Sequence, residues 1–134
     1  MPLSAETALL SLIDEHLSAG RPLTLAIDGC CAAGKTTLAL RLQQRYGCPV
    51  FHADDYFLQP HQRTPQRLSQ AGGNMDRERL LQEVLLPLSR GEDVVFRRFD
   101  CSAMALRPPV RVPYAPFQIV EGTYCMHPEL APYY

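Results

Sequence analysis

Tryptophan is missing from this chain and lysine nearly so: Lys35 is the single lysine among 13 basic residues. Long apolar runs are missing too. No stretch approaches the ~18 uninterrupted apolar residues of a membrane span, and the N-terminus has no basic segment followed by an apolar one. These absences point to a cytoplasmic protein without a membrane partner. Neither charge sign dominates. Fourteen acidic residues against 13 basic ones leave a net charge of −1, so no global field draws the chain to nucleic acid. The five cysteines, Cys30, Cys31, Cys48, Cys101 and Cys125, lack C-x-x-C spacing and a clustered histidine. Neither a zinc site nor a disulfide framework follows; their default role is as small, reduced, partly buried side chains, with Cys30 and Cys31 set apart by a helix N-terminus and a lysine that favour thiolate. Internal repeats and low-complexity segments are also absent.

What is present is enough for one domain with a hydrophobic core: 134 residues, 46% of them apolar and 20% charged. Leu9, Ile13 and Leu17 recur at i, i+4, i+8 and predict an amphipathic helix over Ala5–Ser18, with Ser4 as N-cap. Its polar face carries Glu6, Asp14 and Glu15, which suits packing on a protein core better than lying on a membrane. Gly20 and Pro22 stop it.

The chain is organised around Gly29-Cys30-Cys31-Ala32-Ala33-Gly34-Lys35-Thr36, which fills every fixed position of G-x-x-x-x-G-K-[ST]. Before it, Leu23 to Ile27 is an apolar run of strand length. After it, Thr37 to Arg45 has helix-forming composition, with Leu38, Leu42 and Tyr46 on one face. Strand, glycine loop and helix are the context in which this motif cradles a polyphosphate on free N–H groups at a helix N-terminus. ATP or GTP with Mg²⁺ is therefore expected at residues Gly29 to Thr36 and the adjoining Thr37. Lys35 would reach the β- and γ-phosphates and the Thr36 hydroxyl would take Mg²⁺. Neither Asn-Lys-x-Asp nor Asp-x-x-Gly occurs, which speaks against a GTPase.

Further along, Pro49 to Ala53 reads as a second buried strand, followed directly by Asp54-Asp55-Tyr56-Phe57. Gln59 to Asn74 is polar and aperiodic, a long loop. Asp76 to Ser89 is a helix with Leu80, Leu81, Val84, Leu85 and Leu88 as its buried stripe, and Pro87 kinks or frays its last turn. Asp93 to Phe99 and Val110 to Val112 form the arms of a hairpin. Phe117 to Val120 is a third buried strand, ending in Glu121-Gly122. The expected fold is α/β, a three-layer α/β/α phosphate-loop domain with a mainly parallel sheet. If the three strands are parallel neighbours, the phosphate loop, Asp54/Asp55 and Glu121 meet at one sheet edge, where open α/β sheets bind ligands. A phosphate cradle, Mg²⁺ and a carboxylate that orients or deprotonates a hydroxyl are the set phosphoryl transfer needs. An Asp-Asp pair that merely caps a turn is the structural alternative.

Ile27-Asp28-Gly29 before the loop, Asp54-Asp55-Tyr56-Phe57, Asn74-Met75-Asp76, Phe99-Asp100 and Ile119-Val120-Glu121-Gly122 follow in this order. Together they resemble the uridine kinase family, from about Leu23 to the C-terminus. The resemblance implies ATP-dependent phosphorylation of a nucleoside 5′-hydroxyl, most simply of uridine or cytidine. It also implies that Asp54 is the base that takes the hydroxyl proton. Glu121 would be the acid at the Mg²⁺ site, with Thr36 and Asp54 as further ligands. Asp76 would bind the ribose hydroxyls, Phe99 and Asp100 would lie near the nucleobase, and Asp55 and Tyr56 would join the substrate side. His52 and His61 are not obvious base-reading residues. Other small hydroxyl acceptors, nicotinamide riboside among them, and a nucleotide-binding module of impaired turnover remain alternatives. The family pattern continues with two more strands and an arginine-bearing lid that these 134 residues do not contain. Residues 1–20 are then a leading helix and 23–134 the first part of a kinase core, its sheet incomplete on the C-terminal side. Such a sheet is expected to expose the Thr24–Ile27 edge, to self-associate through it, and to transfer phosphate poorly.

Overall fold

The computed structural model describes residues 5–29 and 34–134; Ser4, the expected N-cap, lies outside them. Three parallel strands make the central sheet: β1 (Leu23–Ile27), β2 (Val50–His52) and, at the far end of the chain, β7 (Phe117–Glu121), in the order β1-β7-β2. Every residue of β7 is buried, as expected of a strand with neighbours on both sides and cover on both faces. Leu23 faces Phe117 and Ile27 faces Glu121 in one ladder. Val50 faces Ile119 and His52 faces Glu121 in the other. Among the described residues β1 pairs with β7 alone.

Side-chain alternation along β7 divides the core in two. Phe117 and Ile119 join Leu23, Leu25 and Ile27 of β1 on one face. There they meet α1 (Ala5–Ser18) through Leu9, Ile13 and Leu17 and α2 (Lys35–Tyr46) through Leu38, Ala39 and Leu42. The expected stripe of α1 is thus the face it buries, and its bounds are those read from the periodicity. Its polar side is tied to α2 by Arg41–Glu6 at 3.1 Å and by the Tyr46 hydroxyl donating to Asp14 at 2.7 Å. On the other face Phe51 and Val120 pack with Leu80, Val84, Leu85 and Leu88. Burying those four side chains contributes about 2 kcal/mol each before chain entropy is counted.

Three short helical elements precede the helix that carries these residues. Ala53–Asp55 and Pro60–Gln62 are 3₁₀ turns, and α3 (Pro65–Leu68) is capped by Thr64, whose hydroxyl accepts from the Arg67 N–H. The stretch expected as one loop is therefore a run of tight turns, closed by an isolated bridge between Phe57 and Met75. Helix α4 (77–89) opens on Asp76, whose carboxylate accepts from the Arg79 N–H. It widens to a π turn over Leu81–Leu85 before Leu86–Ser89, the Leu86 N–H reaching back to the Leu81 carbonyl. Pro87 has no N–H to offer the Glu83 carbonyl, and the widened turn accommodates that gap.

A hairpin follows in two stages. β3 (Val94–Phe96) pairs antiparallel with β6 (Val110–Val112), and β4 (Phe99–Asp100) pairs with β5 (Ala105–Leu106) at its tip. Among the described residues, no helix is long and apolar enough to cross a membrane.

Candidate phosphate-transfer site

All three parallel strands point their C-terminal ends at one place. β1 runs into Asp28 and Gly29, β2 into the Ala53–Asp55 turn, and β7 into Glu121 and Gly122. The expected convergence of the three strand ends is therefore met by the register, with Glu121 flanked by Ile27 on one side and His52 on the other. Cys30, Cys31, Ala32 and Ala33 lie outside the described residues. Beyond them, Gly34 takes a left-handed conformation (φ 78°) and starts α2, a turn glycine makes at no steric cost. Lys35 is half-buried there, and Thr36 and Thr37 are exposed. Gly122 sits where β7 comes nearest the acidic turn. Its φ is +143°, and a Cβ on it would lie 2.5 Å from that of Ala53, so only glycine allows this approach.

The turn after β7 is lashed to the start of the phosphate loop. Asp28 accepts backbone N–H bonds from Gly29 at 2.6 Å, Tyr124 at 3.0 Å and Met126 at 3.0 Å. The Thr123 hydroxyl donates to the Gly29 carbonyl at 3.0 Å. Cys125 is buried beneath, its thiol pushed up to about 12 by that burial, which keeps it protonated and inert. Thr123 and Tyr124 then form one wall of a cleft of about 240 Å³, completed by Ala53, Asp54, Phe57, Asn74 and Met75. Asp54 is exposed and lines this cleft. Its neighbour Asp55 does not: it is paired with Arg98 at 3.4 Å. Burial pushes the Asp55 carboxyl up, against the opposing pull of Arg98.

Glu121 is buried, and its Oε1 meets His52 Nδ1 at 2.5 Å. No group of three or more His, Cys, Asp and Glu among the described residues is arranged to hold a metal ion by itself. Mg²⁺ makes no such demand, because it takes one or two carboxylates and fills the rest of its shell with phosphate and water oxygens. The Thr36 hydroxyl and the carboxylates of Glu121 and Asp54 are oxygen donors of that kind, so the residues present fit it.

The remaining expected substrate residues are placed differently. Tyr56 is buried, its hydroxyl 3.3 Å from Glu83 and its ring 4.4 Å from the Arg79 guanidinium. Burial raises its phenol far above the ordinary value. Asp76 is also buried, its carboxylate used by the Arg79 backbone N–H and, at 3.2 Å, by the Arg79 side chain. Phe99 is buried in β4, whereas Asp100 folds an Asx turn over Ser102 and Ala103 and pairs with Arg107. Gly29, Asp54 and Glu121 thus follow or close the three strand ends, whereas Tyr56 and Phe99 are buried and Asp76 lines a separate pocket with Arg79, Glu83 and Arg97. Three residues to which the sequence alone gave no role matter at this site: His52, Asp28 and Thr123. Asp28 stands in one of the motifs that carry the resemblance, and His52 has a signal in that strands ending together place their last residues side by side; Thr123 has none.

Among solved structures, the fold is similar to that of a possible uridine kinase from Bacillus stearothermophilus, at 22% identity and TM-score 0.70, over 95% of this chain and 78% of that one. A candidate fructose transport system kinase from Silicibacter sp. TM1040 is similar at 23% identity and TM-score 0.73, over 98% and 72%. The YGR205w protein is similar at 16% identity and TM-score 0.55, over 92% of this chain and 54% of its own. The chain shares the fold of these three proteins. No protein-family model matches the sequence, and no curated protein does.

The cleft wall has its own anchor. Arg67 donates to the carbonyls of Gly73 at 3.0 Å and Met75 at 2.9 Å, and grips both carboxylate oxygens of Glu78, at 2.5 and 2.8 Å. That bidentate grip holds the Glu78 carboxyl at about 2, below its ordinary 4.5. A depressed carboxylate stabilises the fold fully above its unfolded value and loses the contribution as pH falls through its folded value. Thermal stability is therefore expected to decline from pH 4.5 toward 2. Glu78→Gln should be less stable near neutrality and show a flatter acid limb in thermal melts. An acid limb identical to that of the parent would remove this pair from the account.

Proposed function

We propose that the protein transfers the γ-phosphate of ATP, with Mg²⁺, to the 5′-hydroxyl of a nucleoside such as uridine or cytidine. One observation carries the reading: the cleft that exposes Asp54 shares Thr123 and Tyr124 with the hydrogen-bonded collar around Asp28 and Gly29. An acceptor in that cleft would lie beside a nucleotide in the phosphate loop. In the mechanism the N-terminus of α2 and Lys35 would hold the phosphates, and Thr36 and Glu121 would provide oxygens to the cation. Bound Mg²⁺ supplies charge neutralisation on the phosphate oxygens. Asp54 orients the acceptor hydroxyl and takes its proton as the new P–O bond forms.

A second acceptor class is favoured by the burial of Tyr56 and Phe99 and by the engagement of Asp76 with Arg79. With Tyr56 and Phe99 buried and Asp76 outside the lining of the Asp54 cleft, a smaller hydroxyl compound without a stacked base would suit that cleft. Isothermal titration with ATP–Mg²⁺ followed by a phosphorylation screen of nucleosides and other small alcohols separates the two. Binding without transfer to any acceptor would leave a nucleotide-binding module.

For a partner, we propose a second copy of the chain paired along β1. Leu23–Ile27 carries no charge, proline or bulge to deter edge pairing, and two copies about a twofold axis would add an isologous ladder. Light scattering should show a dimer or larger species; a monomer at every concentration would dismiss this.

A further inference from the structure

We infer that His52 is a positioning residue for Glu121, holding that carboxylate as the cation–nucleotide complex requires; the inference rests on the phosphotransfer reading above. The two residues are opposite each other in the β2–β7 ladder, at the last rung of both strands. Nδ1 and Oε1 are 2.5 Å apart. An ionised carboxylate has only acceptors, so Nδ1 carries the hydrogen and the imidazole donates. The Glu121 side chain is 5% exposed, that of His52 39%. A carboxyl in so little space needs a hydrogen-bond partner, and a partner on a rigid strand also selects the direction of its oxygens. With Oε1 engaged, Oε2 is the oxygen a cation would take. Carboxylates that serve metals are themselves held by such outer hydrogen bonds, and losing one commonly costs about 10- to 100-fold in metal affinity.

The pair is near enough to the Ala53–Asp55 turn to act on its charge. Asp55 experiences His52, Asp54 and Glu121 together with Arg98. A histidine at this rung therefore does more than fill the end of a strand: it leaves Glu121 oriented without adding another carboxylate to a crowded site.

Two substitutions separate positioning from simple stability. In His52→Asn the side-chain NH₂ stands where Nδ1–H stood, and in His52→Leu no donor remains. The readout is Mn²⁺ binding to the ADP complex, followed by the electron paramagnetic resonance of free Mn²⁺, with thermal melts and metal-free ADP affinity measured alongside. Leu should weaken Mn²⁺ binding about 10-fold or more without changing metal-free ADP affinity, and Asn should restore most of it. Equal Mn²⁺ affinity in Leu and parent, or an Asn variant that folds yet binds as poorly as Leu, overturns the role of His52 and leaves the phosphotransfer reading standing. A parent protein that binds no Mn²⁺ with ADP overturns both.

Discussion

Asp54→Asn should cut phosphate transfer by about 10²-fold or more while leaving ATP affinity where it was. The amide keeps the size of the carboxylate and can still hydrogen-bond an acceptor hydroxyl, but it cannot take the proton. Nothing in the fold should suffer, since Asp54 is exposed on a 3₁₀ turn and not used as a cap. Its neighbour provides the control. Asp55 is held by Arg98 and lies outside the cleft lining, so Asp55→Asn should act on local structure and leave most of the turnover. Steady-state kinetics on both variants decides between them. A silent Asp54→Asn beside a damaging Asp55→Asn would move the base by one residue and contradict its assignment to the cleft-lining aspartate.

Lys35→Ala should weaken ATP binding by about 10-fold or more and abolish measurable turnover. A charge-assisted hydrogen bond to phosphate is worth about 1.5–3 kcal/mol, which converts to roughly that loss. Alanine is the best helix former, so the first turn of α2 should survive the change and the melting curve should stay close to the parent's. Calorimetry with ATP–Mg²⁺ reads the affinity directly. Unchanged affinity and activity would sink the phosphate-loop assignment.

Much of this frame was legible because it depends on short-range pattern. The i, i+4, i+8 leucine and isoleucine spacing of α1 and the apolar runs of β1 and β7 need only local periodicity to be read. So does the stripe of α4, although its π turn is a response to one missing N–H at Pro87 that periodicity does not record. Three parallel neighbouring strands bring the end of β1, the turn that carries the Asp pair, and Glu121 to one sheet edge.

What could not be read is set by tertiary packing. Tyr56 and Phe99 have the composition of substrate contacts, yet the hairpin and α4 bury them, and the guanidinium of Arg79 covers Tyr56. Asp76 looks like a free carboxylate until Arg79, one helical turn on, occupies it. The collar around Asp28 depends on a turn 96 to 98 residues away, a separation at which no sequence window operates. His52 gained its place from the parallel register alone.

The most direct test of phosphate transfer to a nucleoside is ³¹P nuclear magnetic resonance of the protein with ATP, Mg²⁺ and uridine. The account predicts loss of the γ-phosphate resonance in step with a new phosphomonoester on the 5′-oxygen of uridine, absent in Asp54→Asn. Release of inorganic phosphate alone, or no phosphomonoester on uridine, cytidine or any other hydroxyl acceptor while calorimetry shows ATP bound, would contradict it.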